Sequence, residues 1–138
     1  MCLYRNNYAV CGSKGIDTCV HNDDNLEIRE AILLADMIVF ATPLYYYGMS
    51  AQLKNVIDRF CSYNSSITRK QMKSALLAVA WNNDDWTFDA LESHYKTLVR
   101  YLDFTDYGMV LGVGCGSPTM TKRTKFQMMA YTLGSHLA

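Results

Sequence analysis

Apolar positions along this chain fall into two kinds of block: short unbroken runs, and longer stretches with helical spacing. The first 22 residues show neither period and read as irregular. Asp23 and Asp24 then introduce a helix predicted over 26–35, where carboxylates meet the unpaired N–H groups of a helix start, and Asp24 with Glu27 has capping-box character. Leu26, Ile28, Ala31, Leu34 and Ala35 make up its expected apolar face. Residues 37–41 (Met-Ile-Val-Phe-Ala) are an unbroken apolar run closed by Thr42 and Pro43, a pattern that suits a parallel strand buried on both faces.

The same alternation continues to the end of the chain. Ser50 is a good N-cap, and Leu53, Val56, Ile57 and Phe60 follow at i, i+3, i+4 and i+7, with Lys54, Asn55, Asp58 and Arg59 expected on the solvated face. Residues 75–80 are a second buried strand, closing on Trp81-Asn-Asn-Asp-Asp. Thr87 opens a helix with Leu91, Tyr95, Leu98 and Leu102 on one stripe. Residues 109–113 form a third strand before the glycine-rich turn 114–118. A final helix, with Thr121 as expected N-cap, places Phe126, Met129, Ala130, Leu133 and Leu137 inward. A helix followed by three strand–helix units predicts an α/β fold, a parallel sheet with helices on both faces in a three-layer sandwich. No repeat or linker divides the chain, so residues 1–138 read as a single domain.

Composition narrows the partners. Thirteen basic residues balance thirteen acidic ones, so the basic excess that usually marks a nucleic-acid or anionic-membrane binder is missing. No apolar run approaches the ~20 residues of a membrane span, and no apolar leader follows Met1. The expectation is a cytoplasmic protein whose five cysteines (Cys2, Cys11, Cys19, Cys61 and Cys115) are reduced.

Ligands of open α/β sheets bind beyond the carboxyl ends of the strands. Three stretches fall there: 42–49, 81–85 and 114–118. The first carries three consecutive tyrosines closed by a glycine, Thr42, Pro43, Leu44, Tyr45, Tyr46, Tyr47 and Gly48. Aromatic walls beside main-chain N–H groups suit a flat, hydrogen-bonding ring. The alternative is that the tyrosines simply pack on neighbouring helices.

Residues 35–59, Ala-Asp-Met-Ile-Val-Phe-Ala-Thr-Pro-Leu-Tyr-Tyr-Tyr-Gly-Met-Ser-Ala-Gln-Leu-Lys-Asn-Val-Ile-Asp-Arg, resemble the NADPH-dependent FMN reductase and iron–sulfur flavoprotein group of the flavodoxin-like superfamily. The shared pattern is an apolar strand, then Pro-x-Tyr-x-x-Gly-x-x-Ala-x-Leu-Lys, then an Ile-Asp-Arg helix. Residues 18–24 (Thr-Cys-Val-His-Asn-Asp-Asp) and 130–134 (Ala-Tyr-Thr-Leu-Gly) are similar to two further stretches of the group.

The resemblance implies a flavodoxin-like domain that binds FMN through Thr42, Pro43, Leu44, Tyr45, Tyr46, Tyr47 and Gly48, with Trp81, Asn82 and Asn83 bordering the ring. It implies hydride transfer from NADPH or NADH to flavin, in which the protein supplies position and electrostatics and no acid–base side chain is required. It also implies a homo-oligomer, dimer or tetramer. Relative to the group, the sequence lacks the first strand and its phosphate-binding loop, so a sheet truncated at the N-terminus, with three strands and an uncovered edge, is expected. Gly12-Ser-Lys-Gly15 follows no strand and reads as a surface loop. Iron–sulfur members carry four closely spaced cysteines, whereas here Cys2, Cys11 and Cys19 stand apart, and His21 is alone beside Cys19, so no metal centre is expected. His94 and His136 are expected to face solvent. Two other readings compete: a flavin-binding electron-transfer module without a nicotinamide site, and a truncated, non-catalytic flavodoxin-like protein.

Overall fold

The computed structural model describes residues 23–136, and three parallel strands organise them. Helix α1 (Asn25–Leu34) leads into β1 (Met37–Pro43). Helix α2 (Ala51–Asp58), a 3₁₀ turn (Arg59–Ser62) and α3 (Asn64–Arg69) connect to β2 (Lys73–Val79). Helix α4 (Asp89–Tyr101) connects to β3 (Thr105–Gly112), which is followed by α5 (Pro118–Lys122) and α6 (Phe126–Ser135). The strands lie in the order β1–β2–β3, all parallel, with Met37 beside Lys73 and Pro43 beside Val79. Cys2, Cys11, Cys19, His21, the 12–15 stretch and Leu137 lie outside the described residues.

The predicted succession of a helix and three strand–helix units, and the amphipathic α2, are both observed. Ser50 caps α2 by accepting the Leu53 N–H at 3.3 Å, and Ile57 and Phe60 are buried on the expected stripe. Arg59 departs from the expectation. It is buried rather than solvated, because the 3₁₀ turn swings it inward, where its guanidinium grips Asp23 with two 2.8 Å bonds. Such a fork-to-carboxylate pair offsets the desolvation of the guanidinium. It also fixes the start of α1.

Asp23 corrects a second reading. It, and not Asp24, supplies the carboxylate at that helix start, accepting the Asn25 N–H at 3.1 Å, while Asp24 sits in helical conformation with no side-chain cap. The helix is also rotated from the expected stripe. Ile32, Leu33 and Ala35 meet the core, whereas Leu34 is 84% exposed and Leu26 is also exposed.

One face of the sheet carries the principal core. Phe40, Leu76 and Ala78 pack there with Ile57, Phe60, Tyr63, Ile67, Leu91, Tyr95 and Leu102 from the helices and turn between the strands. The Phe40 and Tyr95 rings meet edge to face, 6.1 Å apart. The opposite face is covered by α6 toward β3, where Phe126 lies against Gly112 and Leu133 against Gly108. Toward β1 it is open, with Val39, Ala41, Pro43 and Val79 exposed. An apolar hollow of about 430 Å³ lies there between the sheet and α6, lined by Ala41, Leu77, Val79, Val110, Phe126 and Ala130. Burial of β1 on both faces, expected from its unbroken apolar run, is therefore not seen among the described residues.

At the C-terminal end the expected helix is split in two: Ser117 caps α5, accepting the Met120 N–H at 3.2 Å, Thr121 lies inside α5, and α6 starts after Lys125 with no side-chain cap. Phe126, Ala130 and Leu133 are partly buried as expected, but Met129 is exposed. His136 faces solvent; His94 is instead half-buried in a cleft with Cys61 and Tyr101. Thr87 does not cap α4, because the helix starts at Asp89 with Phe88 in the cap position; the Thr87 hydroxyl accepts from the Asn82 amide instead.

Candidate functional site

Three loops meet at the carboxyl end of the sheet, and hydrogen bonds that extend the strand ladder stitch them together. The Leu44 N–H donates to the Val79 carbonyl at 2.8 Å, joining the first loop to the second. The Ala80 N–H donates to Gly112 at 2.8 Å, Cys115 to Ala80 at 2.7 Å and Gly114 to Asn82 at 3.1 Å, joining the second to the third. The rim is thus a continuation of the sheet, and side chains on it inherit the sheet's rigidity.

Thr42 and Ser50 frame the first loop. The Thr42 hydroxyl accepts the Ser50 N–H at 2.9 Å and donates to the Pro43 carbonyl at 2.8 Å, with both residues buried. Leu44 packs against the core. Between Tyr45 and Gly48 the chain reverses in a two-residue hairpin closed by a mutual pair of bonds, 3.1 and 3.0 Å. The two residues at its tip, Tyr46 and Tyr47, have φ of 46° and 63°. A primed hairpin turn demands such left-handed residues and is normally built from Asn and Gly. Tyrosine there costs about 1–2 kcal/mol per residue. Strain of this kind persists where the surrounding structure over-determines it, and it concentrates at ligand sites.

No packing inside the turn repays that cost at Tyr46, whose side chain is 101% exposed. Tyr45 is exposed as well, and the Tyr47 ring lies 5.1 Å from that of Trp86. The alternative in which all three tyrosines pack on neighbouring helices is thereby overturned.

On the second loop Trp81 is 74% exposed. Asn82 is turned to structural use, its amide donating to the Thr87 hydroxyl at 2.9 Å, while Asn83 is exposed. The amides of Tyr46, Tyr47, Trp81 and Asn83 donate to no protein group among the described residues. Exposed aromatic rings and free N–H donors thus share one rim, which is what a flat ring with polar edges requires. Trp86 and Gly116 were not anticipated from sequence. The only hint of the former was a second tryptophan in a short polar loop; nothing local marked the latter.

A family model described as flavodoxin-like fold matches residues 13–131. The chain belongs to that family. A Bacillus subtilis protein named as an NAD(P)H-dependent FMN-containing oxidoreductase, YwqN, is 31% identical over 101 residues, which is 67% of this chain and 55% of that protein. An iron-sulfur flavoprotein of Archaeoglobus fulgidus is 37% identical over 60 residues, 44% of this chain and 26% of that one. The matched stretches thus span about half or less of these relatives' own length. The solved structure of Trp repressor binding protein from Bacillus subtilis superposes with a TM-score of 0.69 at 26% identity, covering 80% of this chain and 72% of the other. An NADPH-quinone reductase from P. pentosaceus superposes with a TM-score of 0.60 over 91% and 90% of the two chains, and at 14% identity that likeness shows the flavodoxin-like fold alone. No helix among the described residues is long and apolar enough to cross a membrane.

Proposed function

We propose that this chain is the flavin-binding part of an FMN-dependent NAD(P)H oxidoreductase, carrying a hydride from NADPH or NADH to FMN and on to an acceptor. One observation carries the reading. At the carboxyl end of a parallel sheet, a hairpin holds two tyrosines in left-handed conformation, and the foremost has no packing partner among the described residues. The names of the relatives supply the cofactor class.

Bound FMN would supply the redox chemistry. The chain's own residues bind and orient it. Tyr45, Tyr46, Tyr47 and Trp81 wall the ring, and the free amides of residues 46, 47, 81 and 83 meet its polar edge. Pro43, Leu44, Gly48 and Thr42 hold the loop in shape, and Asn82 fixes the Trp81 loop. No side chain is assigned proton transfer, since hydride transfer between two bound rings needs alignment above all. The setting is the cytoplasm, with small nucleotides as partners.

Association of two or more copies belongs to the same proposal. Among the described residues β1 pairs only with β2, and Val39 beside its outer edge is 47% exposed. An open apolar edge favours association. Sedimentation equilibrium at micromolar concentration should give a dimer or larger; a monomer counts against this part.

The test of function is titration with FMN followed by flavin fluorescence, then addition of NADPH. Saturable quenching and loss of NADPH absorbance are expected. Quenching without NADPH oxidation would favour an electron-transfer module. No change of flavin fluorescence at any protein concentration would overturn the reading.

A further inference from the structure

We propose that Gly116 is a positioning residue for this site: it seats the Trp81 indole flat against the backbone, so that one ring face is shielded and the other is offered as a fixed wall. The proposal rests on the flavin reading above for what the wall contacts, and on geometry alone for the seat.

Trp81 is 74% exposed, and a tryptophan so exposed at a loop tip would ordinarily sample several rotamers. Here its six-membered ring occupies the space where a side chain of residue 116 would begin. A Cβ built on Gly116 would fall 2.4 Å from Trp81 Cε3 and 2.8 Å from both Cδ2 and Cζ3. Those three atoms belong to one aromatic ring, so the contact is with the indole's body and not with a flexible tip. Any other amino acid at 116 displaces it.

Backbone conformation does not explain this glycine. Gly108 and Gly114 have positive φ, at 117° and 66°, whereas Gly116 does not. What residue 116 requires is empty space. The seat itself is rigid, because the Gly114 N–H to Asn82 and Cys115 N–H to Ala80 bonds tie the residues on either side of Trp81 to the turn that leads into Gly116. Neither loop can slide away without breaking them. A ring whose freedom is already lost in the free protein costs less to order when a ligand stacks on it.

The sequence contains two tryptophans, so Trp86→Phe leaves Trp81 as the sole reporter. In that background, Gly116→Ala should lower the fluorescence anisotropy of Trp81 and raise its quenching by acrylamide by up to about a third, as the shielded face opens and exposure rises from 74%. FMN affinity should fall about tenfold, the 1.4 kcal/mol expected of a mispositioned stacking wall. In a Trp81→Ala background the same Gly116→Ala change should alter FMN affinity less than about twofold, and the melting temperature lost by Gly116→Ala alone should be regained, since the clash has gone. If Gly116→Ala fails to fold, the double variant should still fold. Gly134→Ala, where a new Cβ meets nothing within 4 Å, controls for the loss of a glycine.

Unchanged anisotropy and quenching would overturn the seat, as would equal FMN losses with and without the indole. If the parent protein binds no FMN, the flavin reading fails, and the fluorescence arm still decides whether Gly116 holds Trp81.

Discussion

Where the strands begin, Tyr95 is wholly buried, its ring against Phe40 and its hydroxyl between Ser74 at 3.0 Å and Asp106 at 3.0 Å. Where the strands end, Tyr45, Tyr46 and Tyr47 stand exposed on a left-handed turn. At the first end tyrosine joins layers: Asp106 Oδ1 also accepts the Gly108 N–H at 2.8 Å, so one hydrogen-bonded chain ties α4, β2 and the irregular start of β3. That start is a bulge, with Tyr107 and Gly108 opposite Ala75, and Gly108 has φ of 117°. At the second end the same side chain is presented at a cost in backbone strain. The fold secures one end of the sheet with satisfied polar groups and exposes unsatisfied ones at the other.

The contrast predicts separable effects. Tyr95→Ala should cost about 3–5 kcal/mol of stability, the usual range for deleting a buried ring. Tyr95→Phe should cost about 1–3 kcal/mol by leaving Ser74 and Asp106 without their shared partner. Denaturant melts measure both. FMN titration of the folded Tyr95→Phe protein should match the parent, and a large loss of affinity there would erase the distinction between the two ends.

Alkaline pH should act on the buried tyrosines next. Burial raises the Tyr95 hydroxyl above the ordinary tyrosine value of 10.0, with Ser74 opposing and Asp106 adding to the rise. Burial also raises Tyr63, partly opposed by Arg29 and Arg59. Their neutral forms are therefore kept in the folded state while the unfolded chain ionises. The stability they confer is complete below pH 10 and declines as pH rises above it, by at most about 1.4 kcal/mol per pH unit for each tyrosine. Melting temperature against pH checks the sign. Substituting both residues with phenylalanine should flatten the decline.

At the presenting end, Tyr45→Ala and Tyr46→Ala should each weaken FMN binding by about 1–3 kcal/mol with little change in stability. Isothermal titration beside a thermal melt separates the two readouts. Unaltered binding in both variants would remove the turn from the site. The smallest effect has the opposite sign: Tyr46→Asn should stabilise the protein by about 0.5–1 kcal/mol, because asparagine tolerates left-handed backbone and no packing is lost. A destabilised Tyr46→Asn would show that the turn is not strained.

Much of this arrangement was legible in order along the chain. Periodicity located α2, the apolar runs located β1 and β2, and Ser50 marked a cap, because capping and amphipathic spacing act over a few residues. The Pro43–Gly48 loop at a strand end was equally local, and with it the position of the candidate site. Other features depended on partners distant in sequence. The first half of β3 contains Asp106 and Gly108, poor strand formers by themselves, and it becomes a strand because Tyr95 satisfies Asp106 and a bulge accommodates the glycine. Helix α3 has no signal of its own along the chain, since Asn-Ser-Ser-Ile-Thr-Arg has weak helix propensity and buries only Ile67.

Which side of α1 faces inward depended on the Asp23–Arg59 pair, 36 residues apart in the chain. The open face of β1 could not be read from its composition, because an apolar run shows that cover is suitable and not where the covering helix lies. Neither the left-handed tyrosines nor the seat of Trp81 on Gly116 has a local signature. Each is a local conformation that only the stitching of three strand-end loops holds in place. The sequence by itself determined most of the elements, their order and the chemistry available at the strand ends. Tertiary structure decided which side chains are buried, which are strained and which are free to bind, because burial and strain depend on atoms brought together from far along the chain.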